Sequence, residues 1–146
     1  MLHLLIDGSG KPLAITTTSA KGNERLEVQP LLKQIAHLPK PSLEGRMIIL
    51  EADRGYDAGW LRQALLTMRI FPLIPYRKIK GRHVPETKEI CDIFHLTKKR
   101  WKVERAFAWL KRRCRRLLMR WERLPELWTG FATLGVIYSW LRDLVG

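Results

Sequence analysis

Apolar residues recur at helical spacing through residues 98–123, a stretch that contains neither glycine nor proline. This pattern predicts one long amphipathic helix. The predicted apolar stripe consists of Val103, Ala106, Phe107, Leu110, Cys114, Leu117 and Trp121. Much of the opposite side is basic and consists of Lys102, Arg105, Arg112, Arg113, Arg116 and Arg120. Arg100, Glu104 and Lys111 lie on the border between the two, so a single carboxylate lies among cations. Ion pairing with these cations is its ordinary explanation.

Shorter patterns before this helix predict strands that alternate with helices. Two apolar runs on either side of an Asp-Gly-Ser-Gly turn predict a hairpin. The predicted strands are residues 2–6, 12–18, 46–51 and 70–76, and the predicted helices are residues 24–37 and 58–68, capped by Asn23 and Asp57. We expect strand 46–51 to be buried on both faces. The order predicts a mixed α/β layer fold. The length predicts a single domain over residues 1–146, with residues 1–121 as one portion and 122–146 as a C-terminal apolar helix.

The charge balance points to a polyanionic partner. The net charge is +13, and 12 of the 27 Lys and Arg residues fall within residues 98–123. An excess of this size usually indicates nucleic acid binding, and less often an anionic membrane surface or a ribosomal contact. A basic protein that is merely soluble is the remaining alternative. In the basic loop 77–85 we expect Arg77, Lys78 and Lys80 to contact phosphate, although a solvated surface is the ordinary role of such a loop.

Cysteine and hydropathy patterns favour an intracellular protein. Cys91 and Cys114 are 23 positions apart and form no C-x-x-C motif, which is typical of reduced cysteines. The longest uncharged apolar stretch, residues 127–141, is too short to cross a bilayer and predicts a buried helix. We therefore expect a cytoplasmic, nucleoid-associated protein that makes no membrane contact.

Two carboxylates are candidates for metal binding. Asp53 directly follows predicted strand 46–51, and ligand sites in open α/β sheets lie beyond the carboxyl ends of strands. A turn role, with backbone N–H groups bonded to the carboxylate, is the alternative. Glu104 would be the second ligand, since Mg²⁺ requires oxygens from more than one element. The cations around it, including Arg105 and Arg112, would hold a DNA backbone. Phosphoryl transfer on DNA combines these two features.

Three segments resemble the DDE-type insertion-sequence transposases, which have an RNase H-like catalytic core. Residues 2–18 resemble a paired-strand segment of that family, and residues 51–57 (EADRGYD) resemble the segment that carries its second catalytic Asp. Arg100, Glu104 and Lys111 match its Y-x2-R-x3-E-x6-K signature, except that Thr97 stands at the tyrosine position. The resemblance covers nearly the whole chain.

The resemblance implies specific roles for these residues. Asp53 and Glu104 would be catalytic ligands of Mg²⁺, with Mn²⁺ as an alternative ion, and Arg100 and Lys111 would contact phosphate near the transposon end. The family's first catalytic Asp precedes the segment resembling residues 2–18, and Asp7 lies in a turn that is not catalytic in the family. We therefore expect an RNase H-like mixed sheet that lacks its first core strand, and no activity from this chain alone.

Two functions follow from these observations. In the first, the chain is the C-terminal part of a transposase that acts on transposon ends and target DNA. It would require an upstream-frame product or a fused N-terminal segment, and would work as a homo-oligomer. In the second, the chain is a noncatalytic, basic nucleic-acid-binding remnant of a transposase. The first predicts Mg²⁺-dependent DNA cleavage and strand transfer, whereas the second predicts DNA binding that is sensitive to salt and indifferent to Mg²⁺.

Overall fold

A computed structural model of the chain describes residues 1–19, 22–37, 47–77, 101–117 and 124–145. The chain divides into two compact units. The first unit comprises Met1–His37 with Arg100–Gly146, and the second comprises Leu38–Lys99. Helices and strands occur in both, which confirms the predicted mixed α/β class.

The first unit begins with the predicted hairpin. Strand β1 (Leu2–Ile6) pairs antiparallel with β2 (Pro12–Thr17). Asp7 closes the turn, because its Oδ1 accepts hydrogen bonds from the Ser9 hydroxyl at 2.6 Å and from the N–H groups of Ser9 and Lys11 at 2.8 and 2.9 Å. Gly10 has a φ of +97°, a conformation that glycine adopts without steric cost. Local chemistry therefore specifies this element.

Side chains from two helices cover the outer edge of β2. Helix α1 (Val28–Gln34) is shorter than the predicted helix 24–37 and follows a 3₁₀ turn (Glu24–Glu27). Asn23 caps that turn by accepting a hydrogen bond from the Arg25 N–H, whereas Glu27 at the start of α1 makes no capping bond. The Gln34 amide accepts from the Ile15 N–H at 3.3 Å and donates to the Ile15 carbonyl at 3.0 Å. The Trp140 indole donates to the Pro12 carbonyl at 2.7 Å. Covering an edge in this way prevents it from pairing with another strand.

The core of the first unit lies between the hairpin and two helices, α3 (Trp101–Arg113) and α4 (Pro125–Val145). Its buried members are Ile15, Leu110, Leu117, Trp128, Ala132 and Val136. A Cβ placed on Gly135 would lie 2.9 Å from both Leu110 Cδ1 and Cys114 Sγ, so α3 and α4 approach closely there. Burial raises the pKa of the Cys114 thiol, as expected of a structural cysteine.

The prediction of one continuous helix over residues 98–123 was wrong. Helix α3 ends at Arg113, and a 3₁₀ turn (Arg115–Leu117) follows Cys114. Residues 111–116 contain five cations. In a continuous helix, Lys111 would lie beside Arg115 and Arg112 beside Arg116, because residues four positions apart are neighbours on a helix. Each such pair disfavours a helix by roughly 0.2–0.5 kcal/mol. Of the described members of the predicted stripe, Ala106, Leu110 and Leu117 are buried, and Val103, Phe107 and Cys114 are half-buried.

Helix α4 is only partly buried, contrary to the prediction for residues 127–141. Trp128, Ala132 and Val136 face the core, whereas Leu134 and Leu141 are 60% and 53% exposed. Pro125 is its first helical residue, a position where proline loses no hydrogen bond. Among the described residues, no helix is long and apolar enough to cross a membrane.

The second unit is built on a short parallel sheet. Strand β3 (Ile48–Glu51) pairs with β4 (Ile70–Leu73), and α2 (Gly59–Thr67) connects them. β4 is shorter than predicted. Ile49 and Glu51 on β3 are exposed, so the prediction that this strand is buried on both faces was wrong. The buried side chains Leu61 and Leu65 of α2 form much of this unit's core, together with Ile70, Leu73 and Ile74.

The described strands form two sheets of two strands each, one in each unit. A single RNase H-like sheet is therefore not observed in this part of the chain, and it stays a prediction. Because β1 pairs only with β2 among the described strands, the hairpin has one covered edge, on β2, and one edge on β1 with no strand partner in that set.

Candidate active site and nucleic-acid interface

Asp53 lies just beyond the carboxyl end of β3. Its Oδ1 accepts a hydrogen bond from the Gly55 N–H at 2.6 Å, and it caps the 3₁₀ turn Arg54–Tyr56. The side chain is exposed, and no described residue bonds to its Oδ2. The turn role and the ligand role considered from the sequence are thus compatible, because each uses a different carboxylate oxygen.

The loop that carries Asp53 is tied to the segment after β4 by Asp57 and Arg62. Arg62 donates to Asp57 Oδ1 from Nε at 3.1 Å and from Nη2 at 2.9 Å, and both side chains are largely buried. Nη2 also donates to the Ile74 carbonyl at 2.6 Å, and the guanidinium lies 3.8 Å from the centre of the Tyr76 ring. One arginine of α2 therefore contacts both segments at the strand ends.

Arg77 completes this connection. Its N–H donates to Asp57 Oδ2 at 2.7 Å, and its guanidinium donates to the carbonyls of Arg54 at 3.2 Å and Gly55 at 3.3 Å. The prediction that Asp57 caps α2 was wrong, since the N-cap residue is Ala58 and no side chain caps the helix. The sequence did not single out Arg62, and its five-residue separation from Asp57 is not a helical-face spacing that could have revealed the pair.

Glu104 lies in the first turn of α3 and is exposed. An acidic side chain there is favoured by about 0.3–1 kcal/mol through the helix dipole, which offers a structural explanation beside the ligand one. At 100° per residue, Lys111 shares the face of Glu104 on α3, and it is exposed. Lys111 follows Glu104 by about 10 Å along the helix axis. The Glu104 carboxylate and the Lys111 ammonium therefore lie on one face of α3, about two turns apart.

The described cations of α3 differ in what they contact. Lys111 and Arg112 form no hydrogen bond or ion pair within the described chain, and both are exposed. Arg105 lies over the Trp101 ring, 4.4 Å from its centre, and Arg113 lies 5.2 Å from the centre of the Trp109 ring. Lys111 and Arg112 can therefore bind an anion without giving up a described hydrogen bond, ion pair or ring contact, unlike Arg105 and Arg113.

The hairpin turn lies against the first turn of α3. Lys102 Nζ donates to the Gly8 carbonyl, and a Cβ on Gly10 would lie 3.4 Å from Arg105 Nη2 and 3.5 Å from Lys102 Cβ. Partial burial acts to raise the pKa of Asp7, but the hydrogen bonds from Ser9 and neighbouring N–H groups outweigh it and hold the pKa below its usual value. Asp7 therefore acts as a turn residue, with Oδ1 already bonded to three donors.

Comparison with known proteins decides the family. A family model described as Transposase DDE domain matches residues 1–140. The chain belongs to this family.

Over 137 residues the chain is 34% identical to the putative transposase for insertion sequence element IS402 of Burkholderia cepacia. The match covers 91% of the chain and 58% of that relative, so the chain spans less than two thirds of the relative's length. No solved structure matches the chain.

Three predicted site residues lie outside the described part of the chain, namely Arg100, Lys78 and Lys80. Asp53 belongs to the second unit and Glu104 to the first. Within the described part of either unit, no group of three or more His, Cys, Asp or Glu side chains could hold a metal ion. Each described unit thus presents one candidate ligand, and hard carboxylate oxygens of this kind suit Mg²⁺.

Proposed function

We propose that this chain contributes Asp53 and Glu104 as two metal-binding carboxylates to a transposase that cleaves DNA and transfers the cut strand. The observation that carries the proposal is the state of Asp53 at the end of the parallel strand β3. One of its oxygens is held by the Gly55 N–H, and the other has no described partner. A carboxylate fixed in this way can bind a cation without first giving up its structural role.

The chemistry of the two side chains fits Mg²⁺, with Mn²⁺ as an alternative. Both present exposed carboxylate oxygens, which are the ligands that these ions prefer. A bound ion would stabilise negative charge that develops on the scissile phosphate. The protein's part is to hold Asp53 through Gly55 and to present Glu104 from the first turn of α3.

The cations of α3 support DNA as the substrate. Lys111 and Arg112 are exposed and have no other described partner. Each phosphate that such a side chain neutralises releases bound counterions, so the affinity for DNA falls steeply with salt. The substrate class we propose is transposon-end and target DNA, bound by a homo-oligomer.

The finer fold that we propose is an RNase H-like sheet completed by a strand from an upstream segment. Support comes from the asymmetry of the hairpin. Gln34 and Trp140 cover the outer edge of β2, whereas β1 has no second strand partner among the described residues. We propose that the segment carrying the first catalytic Asp adds to β1, either fused to this chain or as a separate product.

The test uses this chain fused to the upstream segment, with Asp53→Ala and Glu104→Ala compared against Glu126→Ala. Glu126 is an exposed acid in the first turn of α4, so its removal controls for the loss of one negative charge. Strand cleavage in Mg²⁺ should fall by roughly 10³-fold or more in the first two variants, because a bound metal contributes several kcal/mol. Cleavage that persists in either variant would contradict the assignment.

The alternative is a noncatalytic nucleic-acid-binding protein, favoured by the position of Glu104 in the first turn of a basic helix. In that case the fused protein would bind DNA with a strong salt dependence, and neither Mg²⁺ nor Glu104→Gln would change its affinity. A divalent requirement for forming the complex, abolished by Glu104→Gln, would reject this alternative.

A further inference from the structure

We propose that Arg77 is a positioning residue that holds the Asp53 loop in the conformation needed to bind a divalent cation. This inference rests on the proposed function. It gives Arg77 a role different from the phosphate contact expected from its place at the start of a basic loop. The geometry that points to it is a continuous set of hydrogen bonds from Arg77 to the residues that fix the Asp53 carboxylate.

The first part of this set connects Arg77 to the loop after β3. The guanidinium donates from Nε to the Arg54 carbonyl at 3.2 Å and from Nη2 to the Gly55 carbonyl at 3.3 Å. Gly55 is also the residue whose N–H bonds to Asp53 Oδ1 at 2.6 Å. Arg77 therefore holds the same short turn that determines where the carboxylate points.

The second part holds Arg77 itself. Its N–H is bound by Asp57 Oδ2 at 2.7 Å, while the other oxygen of Asp57 accepts two bonds from Arg62. Arg62 is in turn held by the Ile74 carbonyl and the Tyr76 ring. The backbone of Arg77 is thus tied to the loop by a largely buried ion pair, and its side chain returns to bridge two carbonyls of that loop.

A lysine cannot replace arginine in this arrangement. The guanidinium presents several N–H groups in a fixed plane and reaches both carbonyls at once, whereas an ammonium is a compact charge on a flexible stem. A phosphate contact makes a weaker demand, because lysine also binds phosphate. Arg77→Lys therefore separates the two roles, since it keeps the positive charge but removes the planar pair of N–H donors that reaches both carbonyls.

The experiment measures Mn²⁺ binding by calorimetric titration of the fused protein, without DNA. Residues that hold a metal ligand in place typically change metal affinity by about 10- to 100-fold when removed. We expect a loss in that range for Arg77→Gln and for Arg77→Lys. Arg69→Gln is the matched control, because Arg69 is an exposed arginine of the same unit whose side chain makes no hydrogen bond or ion pair with the described residues. It should bind Mn²⁺ as the unmodified protein does.

A second measurement follows the affinity for DNA as the salt concentration is raised. If Arg77 contacted a phosphate, Arg77→Gln would lower the slope of log affinity against log salt by about one and Arg77→Lys would restore it. We expect both variants to keep the slope of Arg69→Gln. Thermal unfolding of each variant identifies any general loss of folding, which is not expected for an exposed side chain.

The outcomes are distinct from those of the proposed function. If Asp53→Ala leaves Mn²⁺ affinity unchanged, the proposed metal site itself is wrong. If Asp53→Ala weakens binding but Arg77→Gln behaves as Arg69→Gln does, only the positioning role is overturned. Normal Mn²⁺ affinity in Arg77→Lys would also overturn the positioning role, because a positive charge without the two guanidinium hydrogen bonds would then be sufficient for metal binding.

Discussion

Gly135 offers a direct test of how closely α3 and α4 pack. A Cβ at this position would lie 2.9 Å from Leu110 Cδ1 and 2.9 Å from Cys114 Sγ, closer than real Cβ contacts. Leu110 is fully buried, so its side chain has little space into which it can move. Gly130 lies on the same helix, and a Cβ there would meet nothing within 4 Å. The two glycines form a matched pair that differs in the space available.

The expected magnitudes follow from two opposing effects. Replacing glycine by alanine inside a helix stabilises it by about 0.8–1 kcal/mol. Inserting a methyl group into a well-packed core costs about 1–3 kcal/mol. Gly130→Ala should show only the gain, whereas Gly135→Ala should show both effects. The two variants should therefore differ by about 1–3 kcal/mol, or roughly 2–12 °C in melting temperature for a chain of this size.

The assay is thermal and urea denaturation followed by tryptophan fluorescence, which includes the buried Trp128 of the same core. Cys114→Ala in the Gly135→Ala background should recover part of the loss, because it removes one of the two atoms that the new methyl group meets. If Gly135→Ala were as stable as Gly130→Ala, the close approach of α3 and α4 at Gly135 would be refuted.

Two further predictions concern the hairpin. Gln34→Leu should lower the free energy of unfolding by about 1 kcal/mol, since the Ile15 N–H and carbonyl lose their partner. Gln29→Leu on the same helix is the control. Equal urea midpoints for the two variants would count against the covered edge of β2. Asp7→Asn should be less stable than the unmodified protein at pH 7, because the depressed pKa of Asp7 stabilises the fold above the unfolded-state pKa of about 3.9. This difference should disappear as the pH falls through the folded-state pKa, and a difference that stays constant down to pH 3 would contradict it.

The elements that local chemistry specifies were predicted well. The hairpin depends on Asp7 bonding to donors two and four residues away, and the 3₁₀ turn before α1 depends on Asn23 bonding two residues away. The apolar stripe of α3 was also correct at Ala106 and Leu110, because helical periodicity determines which residues share a face. Such relations need no knowledge of the chain's path.

The errors have two causes, which are competition from distant residues for one group and patterns that do not report where a helix ends or what covers it. Aspartate is a residue type that often caps helices. The Asp57 carboxylate is instead bound by the Arg62 side chain and by the backbone N–H of Arg77, which is 20 residues away. The length of α3 was overestimated because periodicity continues past Arg113 although the helix does not. Helix α4 was expected to be buried because it is apolar, but hydropathy does not state how many neighbours a helix has.

The sequence by itself determined the mixed α/β class, the hairpin turn, the family, and the two carboxylates that are candidates for metal binding. The class and the hairpin follow from residue types at short, regular separations, where the energy of a turn, a cap or an amphipathic stripe depends on a few adjacent positions. The family and the pairing of the two carboxylates follow instead from the match to the family's motifs. Only the tertiary structure decided that Arg77 bonds to the Asp53 loop, that Gln34 covers the edge of β2, and that Gly135 allows two helices to approach. Each of these contacts joins residues between 19 and 25 positions apart, and such contacts form only after the chain has been brought together by its core.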